Sequence, residues 1–146
     1  MADITSTVAE KPVGRSGESL GYWVAKKITP VDDGVSATGA HNIFTIPANC
    51  FVREGYVVVT TACTSGGSLT AKWGTATGSK DYSGAIPVAN LAANDFVKLQ
   101  IMDYEDTDGG AGFSTSADTF DMTVATAAFT AGVITVMINI VDLISE

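Results

Sequence analysis

Residues 132–143 read GVITVMINIVDL, and this stretch decides the fold, because eight of its twelve side chains are apolar. The side chains of a β-strand point alternately to its two faces. One face of this stretch would carry Ile134, Val136, Ile138 and Ile140, and the other would carry Val133, Thr135, Met137, Asn139 and Val141. The isoleucine-rich face predicts a strand that packs in the core between two sheets, with a second apolar face pointing outward.

Strand signals recur along the chain before this stretch, and Gly, Asn, Asp, Ser and Pro separate them. The predicted strands lie in GYWVAKKIT, HNIFTIPA, FVREGYVVVTTA, LTAKWG, DFVKLQIMD and TFDMTVAT. Val and Thr are abundant and Leu is scarce, which favours sheets over helices. Only AIPVANLAAND, residues 85–95, has apolar residues at helical spacing. The sequence therefore predicts an all-β fold, a single jelly roll or β-sandwich of about eight antiparallel strands with at most one short helix.

The length of 146 residues fits one domain with one core. Residues 1–19 show no apolar period, and we predict an extended N-terminal arm there, followed by the sandwich domain over residues 20–146. Lys11 and Arg15 are two of the eight basic residues of the chain, so the arm could contact an acidic surface of a partner.

The formal net charge of -8 disfavours nucleic acid and anionic membranes as partners. No stretch approaches the roughly 18 consecutive apolar residues of a membrane helix, and the first twenty residues lack the pattern of a secretory signal. We therefore expect synthesis in a cytoplasm, no nucleic-acid partner and no membrane partner.

No group of residues in the sequence predicts catalysis, a cofactor or a metal ion. His41 is the only histidine and is expected to be structural or solvated, and no strained nucleophile motif accompanies it. Two cysteines and one histidine do not form a zinc pattern. Cys50 and Cys63 would lie roughly 40 Å apart on one extended strand, far beyond the distance of about 7 Å that a disulfide allows, so we predict free thiols.

The long acidic loop 103–118 is the best candidate for a ligand. Its acidic residues are Asp103, Glu105, Asp106 and Asp108, followed by two glycines. Carboxylates on a tightly turning loop suit Ca²⁺, but the spacing does not match the helical calcium-loop pattern. A solvated loop tip is the alternative that we favour.

The outward face of the last strand predicts a contact between subunits, because exposed apolar stripes mark such contacts. Val133, Met137 and Val141 are the residues predicted for this interface. A neighbouring loop or the short helix could instead cover the same face. The aromatic residues Trp23, Tyr82 and Tyr104 offer a different hypothesis, a surface on which a sugar stacks.

Two long segments carry a resemblance to a known family. HNIFTIPANCFVREGYVVVTTACTSGGSLTAKWGT, residues 41–75, resembles an arrangement of short strand, proline turn, long apolar strand and glycine-rich turn. ADTFDMTVATAAFTAGVITVMINIVDL, residues 117–143, is similar to a closing hairpin. Together with the acidic, Thr- and Ala-rich composition, these segments resemble the jelly-roll decoration (cement) proteins of tailed bacteriophages.

The resemblance implies a structural virion protein that binds the outside of an assembled capsid as a homotrimer. Its partner would be the major capsid protein, its location the capsid exterior, and its action a stabilised shell. Lys11 and Arg15 of the arm would then contact the capsid. The alternative is a receptor-binding or glycan-binding domain of a phage tail or head fibre, which the long loop 103–118 leaves open.

Overall fold

Nine strands form two antiparallel sheets in the part of the chain that our computed structural model describes, residues 11–15, 21–76, 81–99 and 115–142. The strands are β1 (Lys11–Arg15), β2 (Tyr22–Ile28), β3 (Gly39–Ile46), β4 (Cys50–Ser65), β5 (Thr70–Thr75), β6 (Ile86–Pro87), β7 (Phe96–Leu99), β8 (Asp118–Ala125) and β9 (Phe129–Asp142). One sheet has the order β1-β2-β9-β4-β7, and the other has the order β3-β8-β5-β6. The predicted all-β fold is confirmed.

The pairing of the strands is that of a long hairpin rolled into a sandwich. From β2 onward, the first strand pairs with the last, β2 with β9, and the second pairs with the second last, β3 with β8. The inner pairs are β4 with β7 and β5 with β6. The contacts β4 to β9 and β5 to β8 then complete each sheet. This nesting is the topology of a jelly roll.

The isoleucine-rich face of β9 forms the centre of the core, as the alternation predicts. The side chains of Ile134, Val136, Ile138 and Ile140 are all buried. They lie in the same core cluster as Phe120, Met122 and Val124 from β8 of the other sheet. Burying one such aliphatic side chain contributes roughly 1.5–3 kcal/mol, so these positions set which face of β9 turns inward.

Lys26 is a buried charged residue on the inward face of β2, and the sequence interpretation did not identify it. Its side chain is 1% exposed. The Nζ atom donates to the carbonyl oxygen of Ile43 at 2.5 Å and lies 5.3 Å from the centroid of the Phe44 ring. Lys26 therefore links β2 of one sheet to β3 of the other through the core.

Turn chemistry and the short helix follow from local sequence. After β2, the backbone N–H of Thr29 donates to Oδ2 of Asp33 at 2.7 Å, and Gly34 takes a φ of 76° that favours glycine. The segment with helical spacing forms only a 3-10 helix, Val88–Asn90, after Pro87 at its N-cap. Leu91 then leaves the helical conformation and is buried in the core.

Part of the predicted N-terminal arm is strand β1 at the edge of the five-stranded sheet. Lys11 pairs with Ala25 and Arg15 pairs with Tyr22 of β2, with a register shift between Pro12 and Gly14. Proline suits an edge strand because it cannot donate to a further neighbour. Within the described residues, no helix is long and apolar enough to cross a membrane.

Candidate interaction surfaces

The outer face of the five-stranded sheet carries a group of large apolar side chains that we call the aromatic face. It consists of Trp23, Phe51, Tyr56, Val58, Phe96 and Met137. The alternation of burial along β2, β4 and β9 places these residues on the side of the sheet away from the core. Phe96 on β7 is 66% exposed.

The centre of the aromatic face is an aromatic pair that spans three strands. Trp23 is on β2 and Tyr56 is on β4, and their ring centroids lie 6.1 Å apart with ring planes inclined by 21°. Strand β9 runs between them, with Met137 opposite Tyr56 and Asn139 opposite Trp23. The two rings therefore meet above β9, in the offset stacking that aromatic pairs favour.

The three residues predicted as an interface differ in exposure. Val133 and Met137 are half-buried on the outward side of β9. Val141 is 1% exposed, so its prediction as an exposed contact residue is wrong. A Cβ atom added to Gly21 would lie 3.1 Å from Cγ2 of Val141, which shows how closely the backbone at Gly21 covers this side chain. The chain itself therefore covers the last part of the predicted stripe, while Val133 and Met137 stay candidates.

The charges on the outward side of these strands differ from those of the whole chain. Lys27 on β2 and Lys98 on β7 are exposed, and Glu54 on β4 is half-buried. All three point to the same side of the sheet as Met137. Lys27 lies opposite Thr135, Lys98 opposite Tyr56, and Glu54 opposite Asn139. Two of these three charged side chains are basic, in a chain with a formal net charge of -8.

The opposite side of the sandwich has a second surface, which we call the polar groove. It is lined by Asn42, Lys72, Gly74, Asp81, Asp121 and Thr123 on the outer face of the four-stranded sheet, together with small neighbours such as Ala40. Its volume is about 470 Å³. Nζ of Lys72 lies 3.5 Å from Oδ1 of Asp81. No motif in the sequence predicts this groove, because its residues come from three strands and one loop.

The aromatic residues proposed for sugar stacking are not brought together. Trp23 belongs to the aromatic face, whereas Tyr82 is fully buried between the sheets, with its ring centroid 5.5 Å from that of Phe120. The hydroxyl of Tyr82 donates to the carbonyl oxygen of Val52 at 2.6 Å. Tyr104 lies outside the described residues. The hypothesis of one site formed by these three residues is therefore wrong for Tyr82.

The other predicted arm and loop residues lie largely outside the described part of the chain. The backbone of Lys11 and Arg15 belongs to β1, but their side chains are outside the description. The acidic residues of the predicted calcium loop, Asp103, Glu105, Asp106 and Asp108, are outside it as well. Among the residues that are described, no group of three or more His, Cys, Asp or Glu side chains could hold a metal ion.

The histidine and both cysteines have structural environments. His41 is buried, and its Nε2 donates to the carbonyl oxygen of Ala37 at 2.6 Å. Cys50 and Cys63 are free and buried, which confirms the predicted free thiols. Burial and then the negative charge of Asp142 raise the pKa of Cys50, and burial raises the pKa of Cys63 to about 11. Both thiols are therefore protonated at neutral pH and weak nucleophiles.

Comparison with known proteins identifies the fold and no sequence family. No protein-family model and no curated protein matches the sequence. Three solved structures contain chains with the same fold. A chain in the capsid of Ralstonia phage GP4 is 14% identical, with 91% of this chain and 92% of that chain covered and a TM-score of 0.54.

The other two structures agree with the first. A chain of the cyanophage Pam1 capsid asymmetric unit is 14% identical, with 90% of this chain and 99% of that chain covered and a TM-score of 0.58. A chain in the acidic stable capsid structure of Helicobacter pylori bacteriophage KHP30 is 13% identical, with coverage of 91% and 93% and a TM-score of 0.50. At this identity the comparison shows the fold alone: the jelly roll described above is also the fold of nearly the whole of each of three chains from phage capsid structures.

Proposed function

We propose that this chain is a structural virion protein that binds the outside of an assembled phage capsid as a homotrimer and stabilises the shell. The observation that carries this proposal is the full-length match to chains of three phage capsid structures. The match covers 92% to 99% of each of those chains. The proposed role is structural and involves no enzymatic activity or cofactor.

The aromatic face supports a role in assembly. Interface cores are enriched in Trp, Tyr, Phe and Met, and the aromatic face groups side chains of all four types. Phe96 is the most exposed large apolar side chain of the described residues. Association would remove it from water together with Val58, which lies opposite it in register. We propose that the aromatic face, which includes Met137, forms the contact between copies together with Val133.

A trimer places a geometric demand on this contact. In a ring of three copies each interface is heterologous, so the aromatic face of one copy meets a different patch of the next. Three linked copies then bind the capsid lattice with high effective concentration, and binding to the assembled lattice stabilises it by mass action. The proposed partner is the major capsid protein, and Lys11 and Arg15 in the edge region around β1 are the proposed capsid contacts. The proposed location is the capsid exterior, after synthesis in the host cytoplasm.

Self-association can be tested with one substitution on the aromatic face. Met137→Asp places a carboxylate in the proposed contact, and an unpaired charge there should cost about 2–5 kcal/mol, or roughly 30-fold to several thousandfold in affinity. Sedimentation velocity should show a trimer for the wild-type protein and a monomer for the variant, with unchanged circular dichroism. Thr45→Asp is the matched control, because Thr45 is exposed on β3 in the other sheet. A wild-type protein that stays monomeric at about 10 µM would contradict the trimer.

Capsid binding requires a separate experiment. Purified protein is added to capsids that lack it, and the particles are imaged by cryo-electron microscopy and heated in a thermal-release assay. We expect density on the outer surface and a higher temperature of genome release. Density on the inner surface, or no saturable binding, would rule out the proposed role even if the protein is a trimer.

The alternative, a receptor-binding or glycan-binding domain of a tail or head fibre, loses the residues first proposed for it. Tyr82 is fully buried, and its hydroxyl is occupied by Val52. Trp23 is paired with Tyr56 in the aromatic face. Substituting Tyr82 would therefore disturb the core and could not test sugar binding.

A further inference from the structure

The polar groove lies on the side of the sandwich opposite the aromatic face. The groove is on the outer face of the sheet β3-β8-β5-β6, and the aromatic face is on the outer face of the sheet β1-β2-β9-β4-β7. Because the two sheets pack through their inner faces, their outer faces point in opposite directions. The aromatic face and the groove of one copy are therefore separate surfaces that do not share residues.

A glycine of β5 lines the groove, between the outward side chains of the neighbouring strands. Asp121 on β8 lies opposite Asn42 on β3 and opposite Gly74 on β5. The next outward residue of β8, Thr123, lies opposite Lys72. Glycine inside a strand weakens the strand and marks places where a ligand or another backbone approaches closely. Gly74 and Asp121 both line the groove.

The side chains around this space are suited to hydroxyl groups. Asp121 and Asp81 accept hydrogen bonds, Lys72 donates them, and Asn42 and Thr123 do both. Asp121 is 8% exposed and lines the groove. A ligand whose every hydroxyl is both donor and acceptor can satisfy such a mixed set. The volume of about 470 Å³ is within the range of small-molecule sites.

The charges argue against other ligand classes. The only basic residue of the described lining is Lys72, which pairs with Asp81, and two carboxylates would repel a phosphate. The groove lacks the group of three metal-binding side chains that a cation would require, as far as the described residues extend. The described residues of the lining include no large apolar side chain to bury an apolar ligand.

We infer that the polar groove binds a short stretch of an uncharged oligosaccharide, held by Asp121, Asn42 and Thr123 above Gly74. This inference does not depend on the proposed capsid role, because the groove belongs to a single copy. A groove without an aromatic platform binds each sugar weakly, so the test displays several copies of the protein together to multiply that affinity.

The inference can be tested on a glycan array. The biotinylated protein is multimerised on fluorescent streptavidin and applied to three sets of probes: bacterial-envelope oligosaccharides, mucin-type glycans and a panel of acidic and basic peptides. Gly74→Val fills the groove with a residue that strands favour. Thr70→Val is the matched control, since Thr70 is an outward residue of the same strand outside the groove. Thr123→Val removes one hydroxyl with little change in shape.

We expect binding to at least one saccharide on the array. Whether it belongs to the bacterial-envelope or the mucin-type set identifies the source of the ligand. Gly74→Val should weaken binding about tenfold or more, Thr123→Val about fivefold, and Thr70→Val less than about twofold. If circular dichroism shows that Gly74→Val does not fold, the saccharide affinities of Thr123→Val and Thr70→Val are compared instead. A weaker affinity for Thr123→Val supports the inference. Binding to no saccharide, binding to peptides alone, or equal binding by wild type and the groove variants would overturn the inference.

Discussion

Gly132→Ala is the substitution for which the structure makes the sharpest prediction. Gly132 lies in β9 beside Cys63 of β4 and has a φ of 133°, which side-chain-bearing residues rarely adopt. A Cβ atom at this position would lie 2.7 Å from Sγ and 2.8 Å from Cα of Cys63. The variant must therefore strain its backbone and also push two central strands apart.

Both costs can be given a magnitude. The left-handed conformation costs a residue with a Cβ atom roughly 1–2 kcal/mol. An extra methyl group in a well-packed site costs about 1–3 kcal/mol. The sum, roughly 2–5 kcal/mol, is a large part of the 5–15 kcal/mol by which a domain is typically stable. We expect the melting temperature to fall by roughly 5–20 °C.

Urea unfolding, followed by the fluorescence of the buried Trp73, measures the loss. Gly66→Ala is the matched control, because Gly66 has no positive φ and a Cβ atom there meets nothing within 4 Å. Adding Cys63→Ala should recover only part of the lost stability, since the contact with the Cα atom of residue 63 remains. Free energies of unfolding within about 0.5 kcal/mol for the Gly132 and Gly66 variants would refute the reasoning.

Three further predictions concern the buried side chains of Tyr82 and Cys63. Tyr82→Phe should lower the free energy of unfolding by about 1–3 kcal/mol in urea, because the buried carbonyl of Val52 loses its donor; an unchanged value would contradict this. Burial, and then the negative charge of Asp118, raise the pKa of Tyr82 above its ordinary value of 10.0. The tyrosine of the unfolded chain therefore ionises at a lower pH than that of the folded chain, and the free energy of unfolding should fall as the pH rises above 10.0. Urea unfolding at several pH values measures this fall. At pH 8, the pKa of about 11 leaves Cys63 roughly 100-fold less thiolate than an ordinary thiol of pKa 9.0. Alkylation with iodoacetamide should slow accordingly, and an equal rate in folded and unfolded protein would contradict the prediction.

The alternation of side chains was enough to predict the core face of β9. Ile134 and Ile138 lie on the same face of β9 because side chains alternate with a period of two. Once that face packs in the core, both residues are buried whichever strands lie beside β9. The same parity applied to β2 would have identified Lys26, which follows Val24 on the inward face. The residue type argued against burial, because a lysine is buried only when partners accept hydrogen bonds from its ammonium group. The carbonyl oxygen of Ile43 is such a partner.

Errors arose where burial depends on a neighbour that is distant in sequence. Val141 continues the outward stripe of β9, yet the backbone at Gly21 covers it. Tyr82 lies in a polar connection by sequence, but it enters the core and contacts Phe120. Neither contact leaves a signal in the local pattern, since the partners are 120 and 38 residues away.

The sequence by itself determined the fold class, the inward face of the last strand and the free thiols, because these follow from the period of two and from chain geometry. The tertiary structure alone decided which outward residues form a surface. Trp23, Tyr56 and Met137 meet because β9 inserts between β2 and β4, and Asn42, Gly74 and Asp121 meet because β8 inserts between β3 and β5. In a rolled hairpin many neighbours within a sheet are distant in the sequence, as β2 and β9 are, so its functional surfaces are set by strand pairing and not by any continuous stretch of residues.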